Sequence, residues 1–253
     1  MKKKYRTDLT DSQWEVISKF LNVQRKRKHD LRIVWNTILY VTKSGCQWRL
    51  TPHDLIPWES AYYYFRKWKQ DGIFGQVMEA LRQMARKRAG KSEHPSIAIG
   101  DSQSVRMLNQ KGEKGIDGGK KVKGRKRHYV VDSCGYPLGI EITPANTHDA
   151  VGIVEVLPIV LNQHPSIKQV WADDIYHGKA LDEIAKYWSI EWITQPKISP
   201  GKFQVVPIRW RVERSFAWLQ GYRRLNVDME VTTQSALAFN QLAFISILVK
   251  KCS

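Results

Sequence analysis

The hydrophobic period of this chain changes once, and that change limits what it can fold into. Up to about residue 90, apolar side chains recur at helical spacing. From Ser96 onward they come in short runs, two of which end in a carboxylate. Helices followed by strands that alternate with helices exclude a single helical bundle and a single β-sandwich. The pattern calls for a helical region and then an α/β domain. The polar stretch RKRAGKSEHP marks the boundary near residues 90–95, giving domains 1–93 and 94–253.

In the first region Asp11 is expected to cap a helix with Trp14, Ile17 and Leu21 on one stripe. Asp30 should cap a second helix, with Leu31, Val34, Ile38 and Val41 on one face and Ser44-Gly45 as its stop. After the loop QWRLTPHDLIP, a third helix begins near Pro57. It places Trp58, Ala61, Tyr62 and Phe65 inward and Tyr63, Arg66, Lys67 and Gln70 outward. A fourth runs from Gly75 toward Arg88. Short helices with a basic, aromatic outer face suit a helix-turn-helix-like DNA binder, in which Tyr63, Arg66 and Lys67 would meet DNA. A plain bundle with a solvated basic face fits the same residues.

Charge favours the first of these. Lys and Arg number 41 against 24 Asp and Glu, a formal charge of +17. A compact protein so basic repels itself unless a polyanion neutralises it, and nucleic acid is the commonest such partner. A hydrophobic share of 42% provides for a real core and excludes wholesale disorder. Three widely spaced cysteines support neither a disulfide framework nor a zinc finger, and suit a reducing compartment. The start, MKKKYRTDLTDSQW, lacks the apolar stretch of a signal peptide. Ala236 to Val249 is broken by Asn240 and Gln241 and reads as too short for a bilayer. The expectation is a soluble cytoplasmic protein with no membrane partner.

In the second region Ser96–Asp101, His128–Asp132, Leu138–Ile142, Gln169–Asp173 and Ile190–Thr194 read as strands. Ser-Cys-Gly-Tyr-Pro joins the second and third as a hairpin. Helices are expected at Asp149–Leu161 and Lys179–Tyr187, with two more at the C-terminal end. The result is a mixed sheet flanked by helices. Between the first two strands lies VRMLNQKGEKGIDGGKKVKGRKRH, Gly-punctuated and basic. Lys120, Lys121, Lys123, Arg125, Lys126 and Arg127 are expected to lie along a phosphate backbone, or else to form a solvated loop.

Asp101 and Asp173 each close an apolar run, so both stand at strand ends, where α/β domains build their sites. Glu213 lies in the helical run PIRWRVERSFAWLQGYRRL, with Trp210, Phe216 and Ala217 as its helical neighbours. On that apolar stripe a charge needs a metal or a partner, and Arg209 one turn earlier is the candidate partner. Carboxylates without His or Cys suit hard ions, Mg²⁺ or Mn²⁺. Two such ions are the usual arrangement for chemistry at phosphorus.

The motifs SGCQWRLTPHD, PWESAYYYFRKW, GDSQSV, GKKVKGRKRHYVVD, ADDIYHG and RWRVERSFAWLQGYRRL occur in this order. Together they resemble the bacterial insertion-sequence transposases of the "five" family, in the larger group related to the "four" family. The resemblance runs from about residue 5 to 250. It implies a ribonuclease H-like catalytic domain behind the helical one, and an Asp, Asp, Glu triad at Asp101, Asp173 and Glu213. Asp173 is chosen over its neighbour by Ala172 before it and Tyr176 after it. Relatives carry small glycines where Asp174 and Ile175 stand here. Arg209 and Glu213 keep an Arg-x3-Glu element of the wider group, while Val206 and Gln220 replace its Tyr and Lys.

The resemblance therefore implies a DDE-type DNA transposase. It would bind double-stranded DNA at terminal inverted repeats, expose 3′-OH groups and join them to target DNA. The chain would act as a homo-oligomer, at least a dimer on DNA, with Arg209 and Arg214 beside Glu213 also touching DNA. A repurposed transposase that binds without cutting, and a nuclease that does not join ends, are the rival readings.

Overall fold

The computed structural model describes residues 5–195 and 209–252. The chain divides into two compact units. One comprises residues up to Lys91 together with Leu219–Val227 and Gln234 onward; the other comprises Ser92–Trp218 with Asp228–Thr233. The division near residue 91 falls where the polar stretch stands. The two C-terminal segments, however, fold with the N-terminal helices rather than with the strands that precede them.

The first unit is all helical: α1 (Asp11–Ser18), α2 (Leu31–Ser44), a 3-10 turn (Trp48–Leu50), α3 (Trp58–Gln70) and α4 (Ile73–Arg88). Thr10, not Asp11, caps α1. Its side chain accepts from the Gln13 backbone, and the Gln13 side chain accepts in turn from the Thr10 backbone, a capping box. Asp30 caps α2 as expected, and Gly45 ends it in the left-handed region at φ 72°. A side chain at Gly45 would also press on the Arg223 backbone, about 3.0 Å away. The core is aromatic. Trp35 is fully buried against Trp68 and Phe74, with ring centroids 5.1 and 5.8 Å away.

The C-terminal segments complete this core. The short α8 (Arg223–Asn226) follows α7 of the second unit, and α9 (Thr233–Cys252) closes the chain. Phe239 of α9 stacks on Phe65 at 4.8 Å, and Arg224 also lies over the Phe239 ring at 4.8 Å. Helix α9 has 20 residues and is long and apolar enough to cross a membrane. Eleven of its side chains are buried, from Ala236 to Val249, and Asn240 satisfies its amide on the Ala236 carbonyl. It is the core helix of this unit.

The second unit is, among the described residues, a six-stranded mixed sheet flanked by helices, the expected α/β architecture. Strand β1 (Ile97–Arg106) runs antiparallel to β3 (Val122–Asp132), which in turn pairs with β4 (Pro137–Pro144). The short β2 (Gly115–Asp117) also pairs with β3. On its other side β1 runs parallel to β5 (Gln169–Asp173), and β5 runs parallel to β6 (Glu191–Gln195). Helices α5 (Asp149–Gln163) and α6 (Lys179–Tyr187) cover one face. Ala98, Val130, Val170 and Ala172 meet Ile153, Val156, Leu157 and Val160 there in one apolar cluster. Burial of each large aliphatic side chain contributes about 1.5–3 kcal/mol. The expected basic loop is largely β-structure: β1 runs five residues past Asp101, and β3 begins at Val122.

This packing has two testable consequences. A fragment of residues 1–91 lacks Phe239 and the rest of α9, so it should melt without a cooperative transition and expose apolar surface. Calorimetry and dye binding would check this. His128 of β3 is fully buried, sharing a hydrogen bond with Thr143 Oγ1 at 2.9 Å. Burial lowers its pKa to about 4. The unfolded chain therefore binds a proton there that the folded chain refuses. The stability His128 contributes is intact above its ordinary pKa of about 6.5 and falls away down to about pH 4, by about 3 kcal/mol. Urea melts over that range should show the loss, and His128→Gln should flatten it.

Candidate active site

Register decides where Asp101 and Asp173 stand. The parallel pairing matches Ile97 with Gln169, Ala98 with Val170 and Ile99 with Trp171. The pairing stops at Ile99 and Trp171, and Asp101 and Asp173 each stand two residues beyond it on their own strands. Both are half-buried. Asp173 ends β5, as expected. Asp101 does not end β1; the pairing with β5 ends at Ile99, while β3 carries β1 on to Arg106.

Alternation then assigns the faces. Ala98, Gly100 and Ser102 point toward α5: a side chain at Gly100 would meet Ile153 Cδ1 at 3.2 Å, and Ser102 Oγ bonds Asp149 at 2.8 Å. Asp101 and Asp173 therefore share the opposite face. The cross-strand partner of Asp101 is Tyr129, and Phe216 packs on Tyr129 with ring centroids 5.3 Å apart. Phe216 belongs to α7 (Arg209–Gln220), so α7 lies on the face that carries both aspartates. Glu213 precedes Phe216 by one helical turn.

The expected orientation of α7 is corrected. Trp210, Glu213 and Ala217 are its exposed stripe, and Val212, Ser215 and Leu219 are buried. The reason is the β3–β4 turn. Arg211 donates to the Ser133 carbonyl, Arg214 to Cys134 O at 2.7 Å and Ser215 Oγ to Gly135 O at 2.7 Å. Gly135, at φ +75°, leaves the room: a Cβ there would stand 2.9 Å from Arg211 O and Ser215 Oγ. Three polar anchors thus override the apolar stripe in setting the rotation of the helix. The Arg209 side chain, expected to pair with Glu213 and to touch DNA, lies outside the described residues.

The Asp174 turn also differs from expectation. Asp174 and Ile175 lie beyond β5 in a turn closed by Tyr176 N to Asp173 O at 3.0 Å, so strand alternation does not orient Asp174. Ile175 is accommodated without a left-handed backbone and packs on the α5 cluster. The turn delivers Tyr176 into the core. Its phenol pKa is raised far above the ordinary value by burial and then by Asp101, Asp149 and Asp173. One buried hydroxyl is thus in electrostatic range of all three carboxylates. Sequence reasoning takes Asp149 only for a helix start; its neighbourhood comes from the fold, with no local signal.

Of the basic candidates, Lys120, Lys121 and Lys123 are exposed, as are Tyr63, Arg66 and Lys67 in the helical unit. Arg125, Lys126 and Arg127 are not available as a backbone-contacting patch, because β3 is paired on both edges and its side chains are buried. Arg125 is fully buried against Asp228 at 3.3 Å and the carbonyls of Glu113 and Val231 at 3.0 and 2.8 Å. Lys126 bonds Asp149 at 2.7 Å. Burial pushes Asp149 up, but Lys126 and Ser102 outweigh it and hold its carboxyl below the usual range. Arg214 is likewise committed, lying between Trp210 and Trp218 at 4.8 and 4.9 Å. Among the described residues, no three His, Cys, Asp or Glu side chains are grouped to hold a metal ion together.

Comparison with known proteins gives the family. Residues 9–78 match a family described as "Putative transposase of IS4/5 family". Over 117 residues the chain is 30% identical to a protein of Burkholderia cepacia named "Putative transposase for insertion sequence element IS402". The match covers 42% of this chain and 54% of that protein, so the chain spans about half the length of its curated relative. Among solved structures it is similar to the catalytic core domain of BIV integrase, at 14% identity and a TM-score of 0.36, over 57% of this chain and 80% of that one. Residues 92–248 match the family described as "Transposase DDE domain", more than half of the 253 residues, and the chain belongs to that family.

Proposed function

We propose that the chain is a DNA transposase whose acidic site is Asp101, Asp173 and Glu213. What supports this reading is the parallel register of β1 on β5, which ends two residues before both Asp101 and Asp173, with α7 packed on Tyr129 beside Asp101. Half-buried carboxylate oxygens on adjacent strands fit a hard divalent cation, Mg²⁺ or Mn²⁺, and Glu213 would complete the set for two. Such ions supply activation of the attacking oxygen and stabilisation of the leaving one.

The chain's own residues do the rest. Lys126 neutralises Asp149, which keeps a further carboxylate from repelling the substrate phosphate. Lys120, Lys121 and Lys123, with Arg66 and Lys67 of the helical unit, hold the DNA backbone. Water attacks phosphorus at the transposon end, the P–O3′ bond breaks and a 3′-OH is released. That 3′-OH attacks a phosphorus of target DNA and displaces the target's own 3′-oxygen. No protein nucleophile is required. Two ends must be held together, so the working form is at least a dimer on DNA.

A binding-only reading has one observation in its favour: the described acidic side chains do not form a metal-holding group of three. The two readings separate in a plasmid integration assay with pre-cut ends in Mg²⁺ and in EDTA. Asp101→Asn, Asp173→Asn and Glu213→Gln should each keep DNA binding and the melting temperature. Each should lose strand transfer by at least about a thousandfold, ~4 kcal/mol at the transition state. Asp174→Asn, outside the strand, should lose far less. Undiminished joining in EDTA, or by the triad variants, would exclude this site.

DNA affinity should also fall steeply with salt, because each phosphate neutralised by Lys or Arg releases counterions. Titration from about 50 to 200 mM salt should give a steep negative slope of log K against log salt. Changing Lys120, Lys121 and Lys123 together to Ala should flatten it, whereas a slope near zero in the parent protein would refute DNA as the polyanion.

A further inference from the structure

The helical unit contains a cleft that the acidic site does not use. It has a volume of about 540 Å³ and lies between the α1–α2 connection, α3 and the start of α4. Its floor is apolar: Leu21, Leu31 and Trp68 are buried beneath it. Its rim is cationic, formed by the run Arg25-Lys26-Arg27-Lys28 on one side and Lys67 on the other. Asp71 is the single acid among the lining residues, and it is bound to Lys67 at 2.8 Å. Tyr63 stands at the rim with 61% of its surface exposed and its ring edge-on to Tyr64 at 5.3 Å. Arg25 and Tyr63 both lie within electrostatic range of Lys67, so these three groups face one space.

A duplex backbone laid over this surface would use the cations alone. It would leave the apolar floor and the Tyr63 ring unused, and a duplex is too wide to enter. A ligand that uses all three is flat and apolar at one end and anionic at the other. A single unstacked nucleotide has that form, with its base on an aromatic ring and its phosphate on the rim. A cleft of this volume falls in the range that encloses a small ligand. We infer that the cleft is a nucleotide pocket, which takes an unpaired or extruded nucleotide of bound DNA between Tyr63 and the Arg25–Lys28 run. This rests on the proposed DNA-transposase function and adds a single-strand subsite to it.

The test uses the full chain and fluorescence anisotropy with three labelled probes: (dT)12, an abasic 12-mer carrying the same phosphates, and a 30-bp duplex of arbitrary sequence. The protein should bind (dT)12 at least about tenfold more tightly than the abasic strand, the ~1.4 kcal/mol of one base–aromatic stack. Tyr63→Ala should remove most of that difference and change duplex affinity less than about twofold, while Tyr63→Trp keeps it. Arg25→Ala with Lys28→Ala should weaken both single strands. Thermal melts would establish that each variant folds. Equal affinity for (dT)12 and the abasic strand, or equal loss on single strand and duplex in Tyr63→Ala, would overturn the pocket while leaving duplex binding in place. Failure of the parent chain to bind any of the three probes would instead overturn the DNA reading itself.

Discussion

Strand β1 has antiparallel β3 on one side and parallel β5 on the other, and the arrangement of the second unit depends on holding both registers at once. A slip of one residue against either neighbour would turn Asp101 or Asp173 to the wrong face. The faces are strongly specified. Ala98 and Gly100 leave just enough room for α5, and Gly152 of α5 in turn leaves room for the buried His128 ring, which a Cβ there would approach to 2.1 Å. Small residues at these crossings let helix and sheet approach closely, so the register cannot shift without collision. The two aspartates inherit their positions from that packing.

Burial of cations is the second constraint. Strand β3 takes Arg125, Lys126 and Arg127 out of solvent, which is costly unless each is matched. Asp228 and a set of backbone carbonyls match Arg125, and Asp149 and Thr147 O match Lys126. Removing one partner of such a pair costs about 3–5 kcal/mol, because the other is left buried and uncompensated. The pairs also reach far along the chain. Arg125 ties β3 to residues 228–232, which lead into α9. The +17 charge is therefore not all available to a ligand; part of it holds the sheet-bearing unit together.

Much is legible in the sequence because it rests on local periodicity. The second, third and fourth helices, the β3–β4 hairpin, and the order of strands and helices come from spacing and turn residues, and Asp30 and Gly45 act as read. The strand end at Asp173 is legible for the same reason. What local reading misjudges is governed by distant partners. The neighbours Trp210 and Phe216 point Glu213 inward, but α7 is rotated by three bonds to the β3–β4 turn about eighty residues away. The basic run around Arg125 resembles a solvated loop because its acid partner stands 103 residues further on.

The sequence by itself determined the basic character of the chain and the motif order of its family, and it is the source of the proposed acids of the site, carboxylates without His or Cys. Those properties are carried by residue type and short spacing, which survive in any fold. Only the tertiary structure decided which cations are free, which face α7 presents, that the last helix completes the first domain, and that Arg25 and Tyr63 line one cleft. These depend on contacts between residues remote in sequence. Such contacts form when desolvation and close packing select one arrangement of the whole chain, and no local pattern encodes that choice.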